Sequence, residues 1–245
     1  MSRSAIVPVR RRPAWRRPWV LPLGLLAVAF LVLALPPYLT LDPAAARVPV
    51  PSERPHFYPM LVAHIGFGTV ALLTSVAQVW PWLRRRHPRV HRWSGRAYLF
   101  AGVLPGSLAV LTVAPFGSMG LGQQTGNTAL GLLWLVTAIT GYRAARARRY
   151  AEHRRWMLRN VALTWSIVAN RGWLVIGVLV FAPSALGTGP VDPAELTWAV
   201  GTASWASWVV DLALVEWWLR RRPRPAAGQA GEWGDGVVRS MIQLR

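Results

Sequence analysis

The chain has 245 residues, 53% of them hydrophobic, a mean hydropathy of +0.29, and nine acidic against 28 basic residues, for a net charge of +19. It contains no cysteine, which excludes disulfides, thiolate metal sites, iron–sulfur clusters and thiol nucleophiles. All the basic residues are arginine and they gather at the ends of long apolar runs, which points to a bilayer and away from nucleic acid.

Crossing the hydrocarbon core takes roughly 20 mostly apolar residues. Six runs meet that length, at 19–39, 58–80, 96–114, 122–143, 156–182 and 195–219. The expected fold is therefore all-α, a polytopic integral membrane helix bundle of six transmembrane helices. The first run has a basic start and alanines at 44–46, as a signal peptide would. Its apolar stretch from Trp19 to Leu35 is longer than a signal core, so an uncleaved anchor is expected. Prolines sit near several run ends (Pro18, Pro59, Pro81, Pro183), where a missing amide donor costs least. Pro105, followed by Gly106, lies inside the third run and predicts a kink there.

Arginines between the runs set the orientation. Residues 1–18 carry six, 84–96 six, 142–159 seven and the tail from 220 onward six, whereas the opposite side holds only Arg47 and Arg54. The positive-inside rule then places both termini in the cytoplasm of a protein crossing the cell (plasma) membrane six times. Three regions follow: a basic cytoplasmic segment 1–18, a transmembrane domain 19–219, and a basic Pro/Gly-rich tail 220–245 with the composition of a disordered segment. Trp15, Trp19, Trp80, Trp82, Trp93, Trp217 and Trp218 fall near run ends, as interfacial belts do.

Polar residues recur at helical spacing inside the runs. The second carries His64, Gly68, Ala71, Ser75 and Gln78, and the third carries His91, Gly95, Tyr98, Gly102 and Pro105. The fifth carries His153, Met157, Asn160, Thr164, Val168 and Arg171, and the sixth Gly201, Ser204, Trp208 and Asp211. Such stripes permit close helix packing and interhelical hydrogen bonds. Two of them share a further pattern, His64-Ile-Gly-Phe-Gly68 and His91-Arg-Trp-Ser-Gly95. A glycine one turn beyond a histidine clears a patch on which a flat ligand such as a haem could lie, its iron held by imidazole.

Depth separates the histidines. His91 and His153 both stand at the cytoplasmic start of an outward helix and share a level, while His64 lies roughly 9 Å below the outer surface. His64 cannot share an iron with the inner pair. His87 and His56 belong to loops and read as solvated interface residues. Asp211 and Glu216 fall at depths within reach of Arg159 or Arg96, which predicts an ion pair. Arg171, nearer mid-membrane, has no carboxylate at its level and predicts a bound anionic group, such as a propionate, a lipid phosphate or a semiquinone.

These residues carry a resemblance. His64-x-x-x-Gly68 with Ala71-Leu72-Leu73 and Gln78, then His91-Arg92-x-x-Gly95-Arg96-x-Tyr98, then His153-Arg154-Arg155-Trp156-Met157-x-Arg159-Asn160 resemble the bacterial membrane proteins grouped as domain of unknown function 2306, over residues 58–180. The resemblance implies an integral membrane protein. A looser similarity runs to the ascorbate-reducible cytochromes b, which implies haem on histidine pairs. This chain offers one such pair, His91 with His153, which departs from a two-haem pattern.

Three functions stay open at this stage. One is a binding or scaffold protein whose inner arginine/histidine face takes anionic lipid of the cytoplasmic leaflet or a partner chain. Another is a single haem b electron-transfer protein with His91 and His153 as axial metal ligands. In it Gly95 would give clearance, Arg92, Arg96 and Arg154 would face propionates, and quinone would be the redox partner. The last is a small transporter. The sequence has no Gly-x-Ser-x-Gly elbow, no His-Glu-x-x-His and no phosphate-binding loop, so nothing in it points to hydrolysis.

Overall fold

The computed structural model describes residues 19–187 and 190–221, and every regular element among them is helical. The basic segment 1–18 and the tail from 222 onward lie outside the described residues. So does Trp15 of the expected aromatic belt.

The chain forms α1 (Val20–Ala34), the short α2 (Pro36–Leu39), α3 (Phe57–Val79), α4 (Pro81–Arg86), α5 (Pro88–Tyr98), α6 (Leu104–Val113), α7 (Gly120–Arg146), α8 (Tyr150–Phe181) and α9 (Pro193–Arg221). Pro36, Pro81, Pro88 and Pro193 each open a helix, where no amide donor is needed. The expected kink is a π turn over Leu99–Val103 that joins α5 to α6. Pro105 has no amide to give the carbonyl four residues back, and just before it the Leu104 amide donates to Leu99, five residues back.

Four helical stretches are long and apolar enough to cross a membrane: Phe57–Val79, Pro88–Phe116, Tyr150–Phe181 and Pro193–Arg221. The other two expected runs fall short for different reasons. The first breaks at Leu35, which leaves a 15-residue α1. The fourth forms the 27-residue α7, but Gln123, Gln124, Thr125 and Asn127 lower the hydropathy of its first half.

α8 is the organising helix. It packs most extensively on α9 and next on α7, which also meets α9, while α3 packs on α5 and α6, and α6 on α7. α1 lies over α3, where Ala27 and Leu31 pack with Leu72, Trp165 and Val168. Small residues set the closest approaches. A Cβ on Gly102 would stand 3.0 Å from the Ala71 backbone, and one on Gly122 would stand 3.0 Å from the Cα of Gly201.

At the centre, polar groups stitch α5, α7 and α8 together. The fully buried Tyr98 hydroxyl donates to Asn160 Oδ1 at 2.5 Å and shares a 2.7 Å hydrogen bond with Thr164 Oγ1. Trp134 Nε1 donates to Thr164 Oγ1 at 2.9 Å. The Asn160 amide donates to the Trp134 carbonyl and to Thr137 Oγ1, both at 2.8 Å. Tyr98, Asn160 and Thr164 are three members of the predicted stripes, and their interhelical role is the one such residues usually take. Inside a bilayer every polar group needs such a partner, so this network fixes how the three helices sit.

Candidate functional site

Alternate helix ends divide the bundle into an arginine-rich end and an arginine-poor end. At the rich end, Arg159 Nε pairs with Glu216 Oε1, as the depth argument expected, whereas Asp211 has no ion pair or hydrogen bond among the described residues. His91 and His153 come within electrostatic reach of each other. His153 Nδ1 lies 2.8 Å from the Gly141 carbonyl, and His91 Nδ1 is sealed without a partner. Gly95 does not leave an open patch. Gln78 Oε1 stands 3.0 Å from where its Cβ would be, and the same side chain donates to Ser94 Oγ at 2.7 Å and to the His91 carbonyl at 3.1 Å. Arg96 is exposed and lies over the Trp93 ring. His56 and His87 are exposed, as expected for loop histidines.

The arginine-poor end holds a cavity of about 420 Å³ between α1, α3, α6, α7, α8 and α9. Much of its wall is apolar, with Phe30, Leu35, Phe57, Leu61, Ile65 and Leu174 among the lining residues. His64, Gly68 and Arg171 line it too, so these three predicted residues face one cavity. Gly68 has nothing within 4 Å of its Cβ position, and here the histidine–glycine pattern does open onto free space. The His64 ring stands edge-on to Trp134, with centroids 6.3 Å apart, and its Nδ1 lies 2.9 Å from the Gly106 carbonyl in the kinked region.

Arg171 projects from α8 roughly 15 Å along the helix from its end at Phe181. It is exposed and makes no ion pair or hydrogen bond among the described residues, and Arg47 and Tyr38 line the same cavity. Arg47 itself donates to the Leu33 carbonyl at 2.7 Å. Asn127 and Asn170 also line the cavity, and neither side-chain amide has a hydrogen-bond partner among the described residues. Sequence reasoning missed both. Asn127 shares a helical face with Gln123, Gly131 and Trp134, at steps of four, four and three, and that stripe was the signal available.

The cavity floor is Trp134 and Thr164, the upper members of the buried network. A rigid floor, apolar walls and a mid-depth guanidinium can hold a molecule with an acidic head and an apolar body. Among the described residues no group of three or more His, Asp or Glu side chains could hold a metal ion.

The family model described as Predicted membrane protein (DUF2306) matches residues 61–219. The match runs beyond the 58–180 of the sequence motifs to include α9, whose packing on α8 makes it part of the same bundle. No curated protein and no solved structure matches the chain.

Proposed function

The chain belongs to the DUF2306 family of predicted membrane proteins, and from that premise we propose that it is a membrane-embedded binding protein whose cavity takes one amphiphilic anion. The acidic head would meet Arg171, with Arg47 and the Asn127 and Asn170 amides nearby, and the apolar body would lie along the walls. One observation carries this reading: Arg171, exposed and partway along α8, lines a mostly apolar cavity and has no carboxylate partner among the described residues. A charge at that depth is costly until something neutralises it. The volume of about 420 Å³ also falls within the usual range for small-molecule sites.

The arrangement in the bilayer belongs to the same proposal. In it the chain crosses six times with the arginine-rich end in the cytoplasm, as the positive-inside rule supports, and the plasma membrane is the expected location. α7 can cross despite its polar half, because Gln123 and Asn127 line the cavity and not the lipid. α1 and α2 together supply 19 helical residues, close to the length a crossing needs. The inner arginines would then hold anionic lipid of that leaflet. A haem between His91 and His153 has less support, because Gln78 covers the glycine patch on which it would lie. A transporter reading rests chiefly on the π break before Pro105 and has less support.

Binding of dodecyl phosphate and of inorganic phosphate to protein in neutral maltoside micelles tests the reading. The amphiphile should bind and Arg171→Gln should weaken it roughly tenfold or more, as loss of a charge-assisted hydrogen bond would. Equal binding by the two proteins would refute the proposal. Equal affinity for inorganic phosphate would reduce it to an ion site.

A further inference from the structure

His64 adds a second requirement, which rests on the anion-binding reading above. Its Nδ1 lies 2.9 Å from the Gly106 carbonyl oxygen, and a carbonyl can only accept. Nδ1 therefore carries the hydrogen, assigned from its partner, and in the neutral ring Nε2 holds a lone pair. None of the described residues takes up Nε2, and it is not among the polar atoms sealed from solvent. The ring lines the cavity, so this lone pair is open to it. Gly106 sits in the first turn after the π segment, and Trp134 stands edge-on to the ring, so the imidazole is held on two sides.

The cavity thus presents an acceptor that no protein donor uses, together with a guanidinium that no protein acid uses. We infer that the ligand's polar head carries both an anionic oxygen for Arg171 and a hydroxyl that donates to His64 Nε2. The class is a hydroxylated acidic amphiphile. Such a head satisfies both groups at once, whereas a bare acid leaves the imidazole lone pair without a donor. The spare amides of Asn127 and Asn170 supply further donors and acceptors for the same head.

Two single-chain probes of equal charge separate the requirements: dodecyl phosphoglycerol, which has free hydroxyls, and dodecyl ethyl phosphate, which has none. Affinities are measured by isothermal titration on the full chain in neutral maltoside. The wild type should prefer the glycerol ester by roughly three- to tenfold, the range of one net hydrogen bond. His64→Leu should erase that preference, and Arg171→Gln should weaken both probes alike. Equal wild-type affinities for the two esters would overturn the hydroxyl inference and leave the anion site standing, and that comparison needs no variant to fold. A preference that survives in His64→Leu would overturn it as well. Failure of both esters to bind, or Arg171→Gln with unchanged affinities, would take down the anion site and this inference with it.

Discussion

Tyr98 and Asn160, 62 positions apart in the chain, meet in a 2.5 Å hydrogen bond at a depth where both side chains are fully buried. Removing the hydroxyl in Tyr98→Phe leaves Asn160 Oδ1 without a donor and takes one of its partners from Thr164, at a fully buried position. The expected cost is about 1–3 kcal/mol, read as a lower unfolding temperature in detergent. An unchanged melting temperature would mean that the network does not fix these helices.

A close helix approach gives a paired test. Gly102→Ala places a methyl 3.0 Å from the Ala71 backbone, which can only yield by moving α3. The expected destabilisation is about 1–3 kcal/mol. Gly66 has nothing within 4 Å of its Cβ position, so Gly66→Ala should leave stability unchanged or raise it by up to about 1 kcal/mol through helix propensity. The unfolding temperature should therefore fall in Gly102→Ala and not in Gly66→Ala.

The acidic residues of α9 differ in the same way. Glu216 pairs with Arg159, and a double-mutant cycle between them should show coupling of about 1 kcal/mol or less, since both side chains keep some exposure. Asp211 has no partner among the described residues, so Asp211→Asn relieves a half-buried charge and should not destabilise. A large loss on Asp211→Asn would reveal a partner that the described residues do not supply.

Orientation can be read directly, because a chain without cysteine accepts a single reporter thiol. Ser52→Cys should react with a membrane-impermeant maleimide in intact cells, whereas Arg89→Cys should react only after permeabilisation. The reverse pattern would invert the proposed topology.

Much of this was legible in the sequence, and the gaps have physical causes. The stripes on α3, α5 and α8 were readable because helical periodicity is local, and they contain the network residues Tyr98, Asn160 and Thr164 as well as the cavity residues His64 and Arg171. The kink before Gly106 was readable because proline removes a specific donor. The state of Gly95 was not, because it depends on Gln78 reaching across from another helix. Asn127 was passed over because average hydropathy treats a polar cavity-lining face as a weak span. The cavity itself was invisible, since it exists only where six helices meet.

The most direct measurement is native mass spectrometry of the full chain purified in mild detergent, wild type beside Arg171→Gln. The account predicts one retained acidic amphiphile per wild-type chain and its loss in the variant. A wild-type cavity that retains only neutral lipid, or an Arg171→Gln chain that keeps the same acid, would contradict it.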